Sequence, residues 1–138
     1  MNEKMNEGNS IDLNVKVNDI NLHSLMVNSN DDDITGGTIS RENNVEIISL
    51  TKSEIVLETV EKIYIDDLKI IELKMRADLT IETNYNGSED ELKLHFKENI
   101  NQISYPLLAE ASLTISFITG KKFGTPYIVP PIIKSSKK

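Results

Sequence analysis

Few residues in this chain have the type and spacing to do chemistry. His23 and His95 are its two histidines, far apart in sequence. A general base needs a nucleophile or acid partner within hydrogen-bond reach, and neither histidine stands in a Ser–His–Asp order or beside a Gly-rich loop. Both read as ordinary surface or edge residues. The carboxylates Asp66–Asp67, Glu61 and Glu89–Asp90–Glu91 fit turns and a helix N-terminus, where the helix dipole favours negative charge. Asp31–Asp32–Asp33 suggests a calcium loop, but the spacing is not that of an EF-hand and no Glu stands at its closing position, so a solvated loop is the better reading. There is no P-loop, dinucleotide fingerprint or metal-ligand spacing. With no cysteine there is no thiolate nucleophile, Cys-ligated zinc or disulfide. These residues give no ground for an enzyme, a cofactor or a metal.

Composition narrows the partners. A chain of 138 residues suits one domain. Its net charge of −7 disfavours nucleic acid and anionic membrane surfaces, which attract basic patches, and leaves soluble proteins as partners. Aromatic residues make up 5% and Trp is absent, so Ile, Leu and Val must supply the core. Met1 to Ser10 is polar and reads as a disordered lead rather than a signal peptide, and no segment is long enough to insert in a bilayer. The cytoplasm is the expected compartment.

The elements that must position any site follow from periodicity. Apolar residues alternate through Leu13, Val15 and Val17, then slip to Ile20 and Leu22, which predicts a strand with a bulge near Asn18–Asp19. Asn28 to Asn44, with Gly36–Gly37, reads as a long loop. Val45 to Leu50 is a short apolar run. Glu54 to Ile65 is rich in β-branched residues but has helix-compatible charge spacing; strand is the preferred assignment. After a turn at Asp66–Asp67, Ile71, Leu73, Met75, Ala77, Leu79 and Ile81 point one way and the polar residues between them the other, as in an antiparallel strand with one wet face. Ser88 and Glu91 form a capping box that starts a helix carrying Leu92, Phe96, Ile100 and Ile103. Pro106 predicts a break near Ser104–Tyr105 and a second helix to about Thr119, stopped by Gly120. Pro130–Pro131 then excludes helix and central strand, leaving a stiff extended segment, and Lys134 to Lys138 reads as a basic frayed tail. The expected unit is one domain over residues 11–133.

The informative feature is the apolar stretch from Phe117 to Ile133. Its side chains can pack over the sheet, and a contiguous greasy strip beside a glycine-bearing loop also suits extended polypeptide of varied sequence.

The run YPLLAEASLTISFITGKKFGTPYIVPPII, Tyr105 to Ile133, resembles the C-terminal half of SecB-type export chaperones. Tyr105–Pro106, Glu110, Thr114–Ile115–Ser116, Gly120, Phe123, Pro126 and Pro131–Ile132 occupy the positions that carry this resemblance. It implies an α+β fold: a four-stranded antiparallel sheet with one face covered by a long C-terminal helix, assembled as a homo-oligomeric dimer of dimers. By carry-over, Phe117, Ile118, Phe123, Tyr127, Ile128 and Val129 would line the client groove, and Leu108, Ala111, Ser112 and Ile115 the helix interface between subunits. The implied function is an ATP-independent holdase for non-native polypeptide, with protein export as one setting. Members of the family usually continue into a further helix and an acidic tail that helps dock the translocation motor. Here Lys134, Lys137 and Lys138 make the tail basic, which argues against motor docking, and the Gln–Gly–Gly signature late in the sheet is replaced by Thr83–Asn84–Tyr85–Asn86–Gly87. The alternative is a dedicated interaction or adaptor protein, encoded for example in a toxin–antitoxin locus or by a mobile element, that recognises one specific partner.

Overall fold

A computed structural model of the chain describes residues 13–28, 37–83 and 85–134. The polar lead, the Asp31–Asp33 run, Gly36 and the last lysines lie outside the described residues. Four strands, β1 (Leu13–Val27), β2 (Ile39–Leu50), β3 (Glu54–Ile65) and β4 (Leu68–Thr83), precede α1 (Glu89–Glu98), the single turn α2 (Ile100–Ile103) and α3 (Tyr105–Phe123). The strands form one antiparallel sheet in the order β1-β4-β3-β2, so β1 and β2 are its edges.

Alternation decides which face is covered. Ile55, Leu57 and Ile63 of β3 and Ile71, Leu73, Met75, Ala77 and Leu79 of β4 are buried on the side where the helices pack. The opposite face carries half-buried polar side chains, with Arg76 Nε 2.9 Å from Glu58 Oε2 and Lys69 Nζ 2.5 Å from Glu72. On β1 the apolar side would rotate away after a few residues if the ladder were regular. Two register shifts, at Val17/Asp19 as expected and at Leu22/Ser24, reset it. Val15, Val17, Ile20, Leu22 and Leu25 therefore oppose Ile81, Leu79, Ala77, Met75 and Leu73, all on the helix side.

Glu54–Ile65 is a strand along its whole length. The predicted loop Asn28–Asn44 is too long: β2 begins at Ile39, and residues 39–44 pair with β3 although all but Ile39 are polar. Asp66 takes the left-handed conformation, φ 53°, that closes the β3–β4 turn. Ser88 Oγ accepts the Glu91 amide at 3.2 Å as the capping box requires, while the Glu91 carboxylate takes the Tyr85 hydroxyl at 2.5 Å. That contact pushes the Tyr85 phenol up, because the neighbouring carboxylate opposes its ionisation.

The first helix is shorter than its apolar spacing predicts. It stops at Asn99, whose amide group turns back to His95 O at 2.9 Å, and α2 restarts it on a new axis. The break at Ser104 is as expected; its buried hydroxyl bonds Ile100 O at 2.5 Å. The stop at Gly120 is overturned. Helix α3 runs on to Phe123, and Gly124, at φ 83°, supplies the left-handed cap, its amide donating to Gly120 O at 3.0 Å.

Candidate functional site

Beyond Gly124 the chain turns back along the helix side of the sheet as a strap, residues 125–134. It is not extended throughout as expected: it bends at Pro131–Ile132, where the Ile132 amide donates to Pro130 O at 2.8 Å. Two points fix its root. The buried Thr119 hydroxyl donates to Ile115 O at 2.8 Å and accepts the Tyr127 amide at 2.7 Å, while Val129 is buried in the core. A threonine hydroxyl facing the core satisfies both its own polarity and one strap donor, which an aliphatic residue could not do.

The far end is held by a charged cluster on β2 and β3. Glu61 and Arg41 form a two-pronged ion pair, Nε to Oε1 at 2.9 Å and Nη2 to Oε2 at 3.0 Å, with side chains essentially without exposed surface. Asn43 Nδ2 adds a bond to Glu61 Oε2 at 2.9 Å. Arg41 and Asn43 also reach the strap. Arg41 Nη1 donates to Pro130 O at 2.6 Å, Asn43 Nδ2 to Ile132 O at 3.1 Å, and the Asn43 amide to Lys134 O at 2.7 Å. The Lys134 amide donates to Asn43 Oδ1. The strap is thus gripped only by main-chain atoms. A buried ion pair is stable only when its remaining donors are satisfied, and the strap carbonyls do that here.

Two open cavities flank the strap. One, about 220 Å³, lies between Phe123, Pro126 and Tyr127 on one side and Ile39, Ile63 and Ile65 on the other. The second, about 520 Å³, is bounded by Asn101, Tyr105 and the strap residues Pro131, Ile132 and Ile133. On the strap Ile128 is 71% exposed, and Ile132, which bounds the second cavity, 51%. Together the strap and its two mostly apolar cavities form a trough suited to polypeptide and poor in groups for covalent chemistry. Among the described residues no cluster of His, Asp or Glu could hold a metal ion, and none of their helices is long and apolar enough to cross a membrane.

The structure sorts the sequence-derived residues. Phe123 and Tyr127 line the first cavity, Ile128 stands beside it in solvent, and Ile118 is half-buried against the core. Val129 is 3% exposed and anchors the strap. Phe117, 66% exposed, points away from the sheet, because two residues from buried Ile115 is about 200° around the helix. The residues assigned to a subunit interface divide in the same way. Leu108, Ala111 and Ile115 have no exposed surface and pack within the subunit, while Ser112 is half-buried. Lys134, read as part of a frayed tail, is tied at both main-chain groups. His23 is exposed on β1, and His95 is half-buried with its ring edge-on to Phe96.

Arg41, Asn43 and Glu61 were missed. The first two fell within the presumed loop and Glu61 was taken for a turn carboxylate. One signal was available: within Ile55, Leu57, Thr59, Glu61 and Ile63 the glutamate occupies an inward position, where a carboxylate demands a buried cation.

The fold is SecB-like. Comparison of structures matches the chain to the Rv1957 SecB-like chaperone of Mycobacterium tuberculosis, solved in complex with a ChAD peptide from the Rv1956 HigA1 antitoxin, with a TM-score of 0.62 and 15% identity over 86% of this chain and 87% of that one. A protein of unknown function from Streptococcus agalactiae also aligns, at a TM-score of 0.42 and 13% identity over 87% of this chain and 97% of that one. Neither family models nor curated proteins match the sequence.

Proposed function

We propose that the protein is an ATP-independent chaperone that holds extended, apolar polypeptide in the trough beside the strap, with Phe123, Tyr127 and Ile128 as contacts. The observation that carries this reading is the exposed apolar strap itself, with Ile128 in solvent, Ile132 at the edge of the second cavity, and Phe123 and Tyr127 lining the first. Burying such surface is worth about 25 cal/mol per Å², so several weak side-chain contacts along one extended client add to useful affinity. The similar mycobacterial chaperone was solved with a peptide from an antitoxin, which supports polypeptide as the ligand class. It also favours the narrower reading, a chaperone dedicated to one partner, over general export.

Suppression of aggregation of a chemically unfolded client tests the proposal. Wild-type protein at equimolar ratio delays light scattering, and Ile128→Asp with Ile132→Asp, both at exposed positions, abolishes the delay without unfolding the chain. No delay by the wild type would sink the holdase. Pull-down with the purified protein separates the two settings, since a general holdase recovers many clients and a dedicated one recovers a single protein.

We also infer self-association. Leu113 and Phe117 on the outer side of α3 and Leu22 and Leu25 on β1 are large apolar residues left between 43% and 66% exposed. In an oligomer these would replace the buried positions of α3 as the contact between copies.

A further inference from the structure

The geometry points to a second role for the Arg41–Asn43–Glu61 cluster: it is a main-chain-reading clamp for the backbone of a bound polypeptide, and residues Pro130–Lys134 occupy it in cis until a client displaces them. This inference rests on the holdase reading and adds to it the hydrogen-bonding half of the site.

Three observations support it. None of the clamp's hydrogen bonds goes to a strap side chain; Arg41 Nη1, Asn43 Nδ2 and the Asn43 amide bond the carbonyls of Pro130, Ile132 and Lys134, spaced two residues apart. The segment that presents them is bent, with the Ile132 amide donating to Pro130 O, and the clamp's hydrogen bonds take main-chain carbonyls whatever the side chains, so the clamp is indifferent to sequence, as a holdase needs. Second, the clamp sits on β2, an edge strand with no further strand beside it among the described residues, where a polypeptide can be added. Third, the strap is firmly rooted only as far as Val129. The Thr119–Tyr127 bond and the burial of Val129 hold that part, whereas beyond it Pro130 and Ile132 are exposed and Pro131 and Ile133 only half-buried. Release can therefore stop at residue 130 without opening the core.

The buried charge pair explains why displacement must be an exchange. If the strap left alone, Arg41 Nη1 and the Asn43 main-chain amide would lose their acceptors, and Asn43 Nδ2 would keep only Glu61, at residues that are otherwise buried. A client carbonyl arriving at the same place removes that penalty, so the strap yields to polypeptide and not to solvent. The two prolines lower the cost of alternation, since they keep the released segment extended and supply no amide of their own that would need a partner.

The test uses the full chain and a permanently unfolded client, reduced carboxymethylated α-lactalbumin carrying fluorescein. Lys134→Cys introduces a lone cysteine, and a nitroxide on it reports strap mobility. Lys134→Pro, in a separate protein, deletes the strap's donor to Asn43 Oδ1 while leaving the clamp intact. Saturating client should turn the nitroxide spectrum from immobile to mobile, and Lys134→Pro should bind client about fivefold more tightly, as expected for one hydrogen bond removed from the competitor. Client binding with an unchanged nitroxide spectrum, or Lys134→Pro binding no tighter than wild type, would show the strap to be a fixed wall of the trough and overturn the clamp while leaving the holdase standing. Absence of any fluorescence anisotropy change with wild type would instead remove the holdase, and the clamp with it.

Discussion

Glu61 is the residue on which the site's architecture turns, because a carboxylate at an inward strand position is tolerated only with full compensation. Its oxygens receive three donors from Arg41 and Asn43. Removing one member of a buried pair leaves the other charged and unpaired, a loss of about 3–5 kcal/mol, whereas replacing both by apolar residues of similar volume is often close to neutral. Glu61→Met alone should therefore lower the urea midpoint sharply, and Arg41→Met with Glu61→Met should recover most of the difference in the same titration. Equal destabilisation by the single and double variants would mean that the strap contacts, rather than the ion pair, carry the local stability. Residues of this kind are the least legible in a sequence. The long β4 alternation announced its buried face plainly, but Arg41 and Asn43 sit in a polar stretch, Ile39–Asn44, whose strand character comes from pairing with β3 and not from its own composition.

At the scale of elements, the sheet, the capping box at Ser88 and the break at Ser104 were all readable, since each depends on neighbours in sequence. The end of α3 was not, because Gly120 and Gly124 look alike in a sequence and differ only in backbone conformation. Gly120 is helical, and a Cβ there would meet Pro126 at 3.6 Å, an ordinary contact; Gly124 is left-handed with open space around it. Gly120→Ala should stabilise by up to about 1 kcal/mol through helix propensity, and Gly124→Ala should cost about 1–2 kcal/mol through backbone strain alone. Thermal unfolding of the two variants gives shifts of opposite sign if the helix ends where it does here. On the wet face of the sheet, Glu54 has its pKa raised above its ordinary 4.5 by a hydrogen bond to, and repulsion from, Asp78. Asp78 Oδ1 is buried and has no hydrogen-bond partner among the described residues. A raised carboxylate pKa means that the folded state binds this proton more tightly than the unfolded chain does. The contribution is complete below the ordinary value and is lost as pH climbs through the raised one. Glu54→Gln should remove that pH dependence and leave the variant relatively more stable near neutrality, measurable as a flatter melting temperature against pH across the mildly acidic range.

For the whole molecule, the distribution of apolar surface matters more than any single contact. The bulges of β1 turn its apolar residues to the helix side, yet the helices do not reach all of them: Val17, Leu22 and Leu25 remain 40–47% exposed. On α3 the buried stripe through Leu108, Ala111, Ile115 and Thr119 faces the sheet, and Leu113 and Phe117 look outward at 65% and 66%. A lone subunit of this size with a second greasy surface, separate from the strap, would be prone to associate. The sequence reading placed a subunit contact on Leu108, Ala111, Ser112 and Ile115, and small residues such as Ala111 suit close packing on a sheet as well as on another helix. Self-association through the outer side places a clear demand on two residues. Leu113→Asp with Phe117→Asp alters exposed positions only and should leave the fold and the strap intact. Light scattering coupled to size exclusion should show wild type as an oligomer and this variant shifted toward the 15.5 kDa monomer. If the wild type already elutes as a strict monomer, or the variant assembles unchanged, this surface does not join subunits. If the variant becomes monomeric yet still delays aggregation, holding a client is a property of the single trough, and assembly serves to multiply troughs for one long chain.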